Sequence, residues 1–165
     1  MNTVIKGILK QGDHAVISSL EHNAVVRPLE TLKKNKIEYS VAECVPYDDE
    51  QTIENFRKQF KSNTKLVICT HASNVFGIKL PIERIGALCR LNGILFCVDA
   101  AQSAGTADIN LSDSCIDFLC TAGHKGLYGP MGTGLLIINS ETTPDSLIQG
   151  GTGSCLLYTS PSPRD

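Results

Sequence analysis

Short apolar runs alternate with longer amphipathic stretches along most of the chain. The apolar runs predict β-strands near residues 15–17, 37–41, 66–70, 94–98, 115–120 and 134–138. The amphipathic stretches carry apolar residues at helical spacing and predict helices over residues 2–10, 22–35, 48–60 and 81–92. Strands that alternate with helices through short links are typical of a mostly parallel sheet flanked by helices, so the predicted fold class is α/β.

Three polar clusters follow directly after predicted strands. They are HASN at 71–74, DAAQ at 99–102 and AGHKGLYGP at 122–130. In an open α/β sheet, ligands bind outside the carboxyl ends of the strands. We therefore expect these clusters to lie at the ligand-binding edge of the sheet.

Lys125 has the most distinctive local sequence of any charged residue. It follows Gly123 and His124 and precedes the glycine-rich segment GLYGPMGTG. An amine among apolar walls and backbone amides is nucleophilic toward carbonyl groups, which is the requirement for Schiff-base chemistry. The simpler interpretation is a surface lysine in a loop. A phosphate-binding loop is excluded, because neither G-x-x-x-x-G-K-[ST] nor G-x-G-x-x-G is present at this segment.

Asp99 and His22 each lie where a predicted strand ends. The simplest role for either side chain is to cap the helix that follows. A carboxylate at this edge would also hold the protonated ring nitrogen of a pyridoxal-type cofactor, with Gln102 sharing the site. An imidazole there would stack on an aromatic cofactor. The chain has no H-x-x-x-H or C-x-x-C spacing, so we expect no metal site.

Composition and charge narrow the class of protein. The chain has 165 residues, of which 42% are hydrophobic, as expected for one globular domain. Its 15 basic and 17 acidic residues leave a net charge of −2, which argues against nucleic-acid binding and membrane association. Residues 1–12 do not resemble a secretory signal. Seven cysteines without a C-x-x-C pair are typical of reduced, buried thiols in a cytosolic protein.

Four segments taken together resemble the class V aminotransferase family, and most of all its cysteine desulfurase branch of the NifS/SufS type. These segments are EHNA, THASNVFG, CVDAAQSAG and AGHKGLYGPMGTG. The Asp-x-x-Gln followed by Gly-His-Lys is the most specific part. The resemblance implies the fold type I of pyridoxal 5′-phosphate enzymes, with this chain as the central part of the large domain. It also implies a homodimer that binds pyridoxal 5′-phosphate through a lysine Schiff base.

The resemblance also implies roles for individual residues. Lys125 would be the Schiff-base lysine and would remove the substrate α-proton, and Asp99 would pair with the ring nitrogen. His22 would stack on the ring and act as an acid or base near the substrate sulfur. Asn74 and Gln102 would hydrogen-bond to the phenolic oxygen of the ring.

The expected phosphate contacts include one departure from the family pattern. His124 would contact the phosphate. Family members usually have Ser or Thr three residues before the lysine, where this chain has Ala122. Thr121 is the nearest substitute, provided that its side chain points toward the phosphate.

The implied reaction converts L-cysteine to L-alanine and leaves sulfur as a persulfide on an enzyme cysteine, from which an acceptor protein takes it. In the family this cysteine lies on a C-terminal loop that the chain does not reach. The cysteines that we do not expect to act as the nucleophile are Cys44, Cys69, Cys89, Cys97, Cys115 and Cys120. A selenocysteine lyase or a true aminotransferase of the same fold is an alternative, and so is a non-catalytic α/β binding module.

The two ends of the chain carry a further expectation. Residues 1–154 resemble a large domain truncated at both ends, so we expect the chain to be inactive by itself. Residues 155–165, CLLYTSPSPRD, have no periodicity and read as the in-frame translation of a transposon-type sequencing adapter, which predicts a non-native tail. For the parent protein we expect a cytoplasmic cofactor enzyme.

Overall fold

A six-stranded sheet with helices on both faces forms the structure, a computed structural model that describes residues 1–150. The expected tail at 155–165 lies outside the described residues. The strands are β1 (His14–Ser18), β2 (Glu38–Ala42), β3 (Thr64–Thr70), β4 (Leu95–Asp99), β5 (Phe118–Ala122) and β6 (Gly134–Ile138). The helices are α1 (Asn2–Ile8), α2 (Asn23–Leu32), α3 (Asp49–Gln59) and α4 (Ile82–Leu91). Within residues 1–150, no helix is both long and apolar enough to cross a membrane.

The order of the strands in the sheet is β2-β1-β3-β4-β5-β6. The first five strands are parallel, and β6 runs antiparallel to β5. The predicted α/β fold with a mostly parallel sheet is therefore confirmed. The direction of β6 has a simple reason: residues 123–133 turn back without a helix, whereas a parallel connection needs a crossover, usually helical.

Both faces of the sheet are buried against helices. On one face, Phe56 of α3 and Ile85 of α4 pack with Phe96 of β4. On the other face, Ile5 of α1 and Leu29 of α2 pack in a second apolar cluster. Burial on both faces explains why residues 66–69 of β3 and 95–98 of β4 are continuous apolar runs rather than alternating ones.

The strand predicted at 115–120 begins only at Phe118. Cys115 has a left-handed backbone, with φ of 50°, and therefore cannot continue a strand. The following Asp117 joins two segments, because its carboxylate accepts a hydrogen bond from the Phe96 backbone N–H at 2.8 Å. The predicted helix from residue 22 is also shorter, since α2 ends at Leu32 and a short 3-10 turn follows.

We predict that Gly86→Ala destabilises the protein, although alanine is the better helix former by about 1 kcal/mol. Gly86 lies within α4, where an added Cβ would come within 1.9 Å of the Ser114 carbonyl oxygen. Forcing a methyl group into packed surroundings costs about 1–3 kcal/mol. Urea unfolding should show a lower midpoint for Gly86→Ala than for the exposed control Glu83→Ala in the same helix. A midpoint at or above that of the wild type would contradict this close contact.

Candidate functional site

A cleft of about 660 Å³ opens at the carboxyl edge of the sheet. It is bordered by the segments that follow β1, β3, β4 and β5 and by the first residues of α1 and β6. The seven predicted site residues that line it are His22, Asn74, Asp99, Gln102, Thr121, His124 and Lys125. The fold thus brings the three polar clusters together at the edge where α/β sheets bind ligands.

Asp99 is the last residue of β4 and lies between the ends of β3 and β5, opposite Thr70 and Cys120. Its side chain is buried, and its Oδ1 accepts a hydrogen bond from the Ala101 backbone N–H at 2.9 Å. This is the capping contact expected as its simplest role, although residues 101–106 form turns rather than a regular helix. Because the backbone holds one oxygen, the carboxyl group has a fixed orientation beside the cleft.

Lys125 lies on a tightly folded loop between β5 and β6. The Gly123 carbonyl oxygen accepts a hydrogen bond from the Gly129 N–H at 2.7 Å, and the Lys125 carbonyl oxygen accepts one from the Tyr128 N–H at 2.9 Å. The lysine itself is half-buried. Lys125 is therefore more exposed than expected for a lysine among apolar walls. It is also less exposed than an ordinary surface lysine in a loop.

Gly126 allows this loop to contact the segment that carries Gln102. An added Cβ at Gly126 would lie 2.4 Å from the Ala104 carbonyl oxygen. The contact is mutual, since a Cβ at Gly105 would lie 2.3 Å from the Gly126 carbonyl oxygen. Side chains at either position would separate Lys125 from the residues that follow Asp99.

His22 caps α2 and lines the cleft at the same time. Its Nδ1 accepts a hydrogen bond from the Ala24 backbone N–H at 3.1 Å. A neutral imidazole that accepts at Nδ1 carries its proton on Nε2. Nε2 is therefore the atom that can exchange a proton with a ligand, because Nδ1 already accepts the hydrogen bond from the Ala24 N–H.

The remaining predicted side chains differ in their exposure and in their hydrogen bonds. Asn74, Gln102 and His124 are exposed at the cleft and make no side-chain hydrogen bond within residues 1–150. Thr121 is half-buried, and its hydroxyl donates to the Ala100 carbonyl oxygen at 3.4 Å. The Thr121 hydroxyl is thus directed toward the backbone next to Asp99.

Glu21 is an acid with a buried carboxyl group beside this site, and sequence reasoning missed it. Its Oε1 accepts hydrogen bonds from the Ser18 hydroxyl and from the Thr70 backbone N–H at 2.6 Å. Its Oε2 is buried without a partner within residues 1–150. Burial, reinforced by the nearby charge of Asp99, raises the pKa of Glu21 to about 8. The sequence signal for it is the acid of EHNA, which stands three residues after the last residue of the buried strand β1.

His71 is a second buried titratable group that sequence reasoning did not interpret. Its Nδ1 lies 2.9 Å from the Ser103 hydroxyl oxygen, and its Nε2 has no partner within residues 1–150. Burial, with a smaller effect from Lys79, lowers the pKa of His71. The imidazole is therefore a neutral link between the end of β3 and the segment that follows Asp99.

The family of this chain follows from comparison with known proteins. A model of the family described as aminotransferase class-V matches residues 1–157. The chain belongs to the class V aminotransferase family. The resemblance inferred from the four sequence segments is thereby confirmed.

Cysteine desulfurases are among the proteins that are similar to this chain. Cysteine desulfurase IscS of Clostridium botulinum is 35% identical over 91% of this chain, which covers 38% of that protein. The probable cysteine desulfurase of Pyrococcus abyssi is 35% identical over 90% of this chain and 37% of its own length. The apo structure of a cysteine desulfurase from Thermococcus onnurineus matches with a TM-score of 0.78 and 35% identity, covering 91% of this chain and 39% of that one. The chain thus spans less than two fifths of these proteins, and its fold is the predicted one.

Four of the cysteines within residues 1–150 have environments of two kinds. Burial raises the pKa of the Cys44, Cys69 and Cys89 thiols, so these are unreactive core residues. Cys120 lines the cleft, and a hydrogen bond with Cys97 lowers the pKa of Cys120. The sequence had given no reason to separate Cys120 from the core cysteines.

We predict that Gly126→Ala destabilises the protein by about 1–3 kcal/mol, because the added methyl group would press against the Ala104 carbonyl oxygen. Thermal unfolding should show a lower midpoint than that of the wild type. Gly150→Ala is the matched control, since an added Cβ at Gly150 meets no atom of residues 1–150 within 4 Å. Equal midpoints for the two variants would contradict the close approach of the Lys125 loop and the Gln102 segment.

Proposed function

We propose that residues 1–154 form the central part of the cofactor-binding domain of a pyridoxal-phosphate-dependent cysteine desulfurase, with residues 155–165 a non-native tail. The observation that carries this proposal is the placement of Asp99 and Lys125 in one cleft, after neighbouring strands. Membership of the class V family and the similarity to cysteine desulfurases support it. The activity proposed is that of the parent protein, of which this chain is one part.

The residues of the cleft fit pyridoxal 5′-phosphate chemically. A fixed carboxylate, Asp99, suits the cationic ring nitrogen, and a primary amine, Lys125, suits the aldehyde carbon. His22 supplies a flat ring for stacking, while the side-chain amides of Asn74 and Gln102 suit the phenolic oxygen. A cleft of about 660 Å³ lies within the roughly 300–1,000 Å³ of small-molecule sites.

When bound, pyridoxal phosphate supplies an electron sink for negative charge that develops at the α-carbon of an amino acid. Lys125 would hold the cofactor, and its Nζ is the group that would accept the α-proton of a substrate. Asp99 would pair with the protonated ring nitrogen, and its fixed orientation favours this contact. His22 can give or take a proton only at Nε2, since its Nδ1 caps α2.

The phosphate end of the site is assigned to His124, with a smaller contribution from Thr121. The His124 side chain is exposed at the cleft and has no hydrogen-bond partner within the described residues. Ala122 cannot donate the hydrogen bond that Ser or Thr would supply. Thr121 can replace it only if its hydroxyl turns away from the Ala100 carbonyl oxygen.

For the parent protein we propose conversion of L-cysteine to L-alanine, with sulfur left as a persulfide on a cysteine outside the described residues. A homodimer, a sulfur-acceptor protein and a cytoplasmic location belong to the same proposal. The similarity to cysteine desulfurases supports this choice over a selenocysteine lyase or a true aminotransferase. The thiolate chemistry requires an accessible nucleophile, and the buried Cys44, Cys69 and Cys89 do not offer one.

We predict that Lys125→Ala abolishes the covalent attachment of pyridoxal phosphate to a lysine of the cleft, because Lys125 is the only lysine among the described residues that line it. Borohydride should fix the cofactor to the wild-type chain, and peptide mass mapping should find the label on Lys125. The exposed Lys58→Ala is the matched control and should label like the wild type. Specific labelling of another lysine, or none of the wild type, would contradict the proposed role.

We predict that the purified 165-residue chain supplied with pyridoxal phosphate does not release sulfide from L-cysteine above the rate of free cofactor. The reason is that the proposed persulfide-forming cysteine and the groups that bind the substrate carboxylate lie elsewhere in the parent protein. Sulfide release in the presence of a thiol reductant measures this directly. Sustained turnover by the chain would show that the described cleft is sufficient for catalysis.

A further inference from the structure

The pairing between β1 and β3 ends before the two strands reach the cleft. Their register runs as far as Ile17 opposite Ile68. The chain then turns toward β2, where the Ser19 N–H donates to the Ala42 carbonyl oxygen at 2.9 Å. The Thr70 N–H at the end of β3 is consequently left without a ladder partner on β1.

The side chain of Glu21 supplies this missing partner. Its Oε1 accepts from the Thr70 N–H at 2.6 Å and from the Ser18 hydroxyl. Ser18 in turn accepts from the Leu20 N–H at 3.3 Å, so the network joins both strand ends to the loop that follows β1. A buried backbone N–H without a partner is destabilising, which gives this contact a structural purpose.

The surroundings of the Glu21 carboxyl group favour its uncharged form. The titratable groups that face it are Asp99 at the end of β4, Cys69 of β3 and Cys44 after β2, and none of these is a cation. Its Oε2 is buried without a hydrogen-bond partner within residues 1–150. A carboxylate in such a place is neither solvated nor paired, whereas the neutral acid still accepts the Thr70 hydrogen bond at Oε1.

We propose that Glu21 is a positioning residue for the candidate site and that, as a neutral acid, it ties the loop carrying His22 to the ends of β1 and β3. His22 directly follows Glu21 and begins α2, so this tie sets where the imidazole stands at the cleft. The role of this placement in catalysis rests on the proposed function. The hydrogen bonds of Glu21 with Ser18 and Thr70 do not depend on it. Loss of the proton would set two carboxylates, Glu21 and Asp99, against each other beside the cleft.

The pH dependence of stability tests the neutral form. The folded protein keeps a Glu21 proton that the unfolded chain releases, because burial raises the pKa of Glu21 from 4.5 to about 8. The stability that this group contributes is complete below pH 4.5 and is lost as the pH rises to about 8. Relative to Glu21→Gln, the wild-type urea midpoint should therefore fall across this range. Other titrating groups, including the buried His14 and His71, are common to both proteins and cancel in the difference.

Glu43→Gln is the matched control for this experiment, because Glu43 is exposed. It should show the same pH dependence as the wild type, since it leaves the buried acid in place. If the urea midpoints of the wild type and Glu21→Gln depended on pH in the same way, the claim that Glu21 is neutral in the folded protein would be contradicted. A wild-type midpoint that rises relative to Glu21→Gln over the same range would overturn it as well.

Amide exchange and cofactor binding test the positioning role. The Thr70 amide should be protected in the wild type and in Glu21→Gln, which keeps an acceptor oxygen, and should exchange about tenfold faster in Glu21→Ala. Pyridoxal phosphate should bind Glu21→Gln like the wild type and Glu21→Ala about tenfold more weakly. Wild-type protection in Glu21→Ala, or equal cofactor affinity of all three proteins, would overturn the positioning role. Failure of the wild type to bind the cofactor would contradict the proposed function. The amide exchange and pH measurements would still test whether neutral Glu21 binds the Thr70 N–H.

Discussion

Burial of both faces of the central strands β3 and β4 is the constraint on which the rest of the structure depends. Apolar clusters cover the two faces, so residues 66–69 of β3 and 95–98 of β4 are all apolar. Parallel pairing also aligns their carboxyl ends, where Thr70 lies opposite Asp99. The polar side chains of the site therefore lie at the carboxyl edge of the sheet, and the cleft is at this edge.

At this edge, side chains satisfy backbone groups that the ending strands and beginning helices leave free. Asp99 accepts from Ala101, Glu21 accepts from Thr70, and His22 accepts from Ala24. The side chains that line or adjoin the cleft thus also hold the backbone in place. Removal of any one disturbs local structure together with chemistry, so the conservative substitutions are the ones that separate the two effects.

Much of the fold was predictable from the sequence because its signals are local. Apolar runs and helical spacing located all six strands and four helices, and Asp48 marked the start of α3 by its capping contact. The start of β5 at Phe118 was not predictable, since a turn through Cys115 occupies part of the same apolar run. The antiparallel direction of β6 was not predictable either, because it depends on how residues 123–133 fold back.

The sequence by itself determined the fold class, the family and the residues assigned to the cleft, because strand ends and motif spacing are encoded in short segments. It identified Lys125, Asp99 and His22 without any knowledge of distance. Only the tertiary structure decided that Glu21 is a buried acid bound to Thr70 and that Cys120 lies at the cleft. The physical reason is that burial and proximity arise from segments distant in sequence, and these two properties set the pKa of each group.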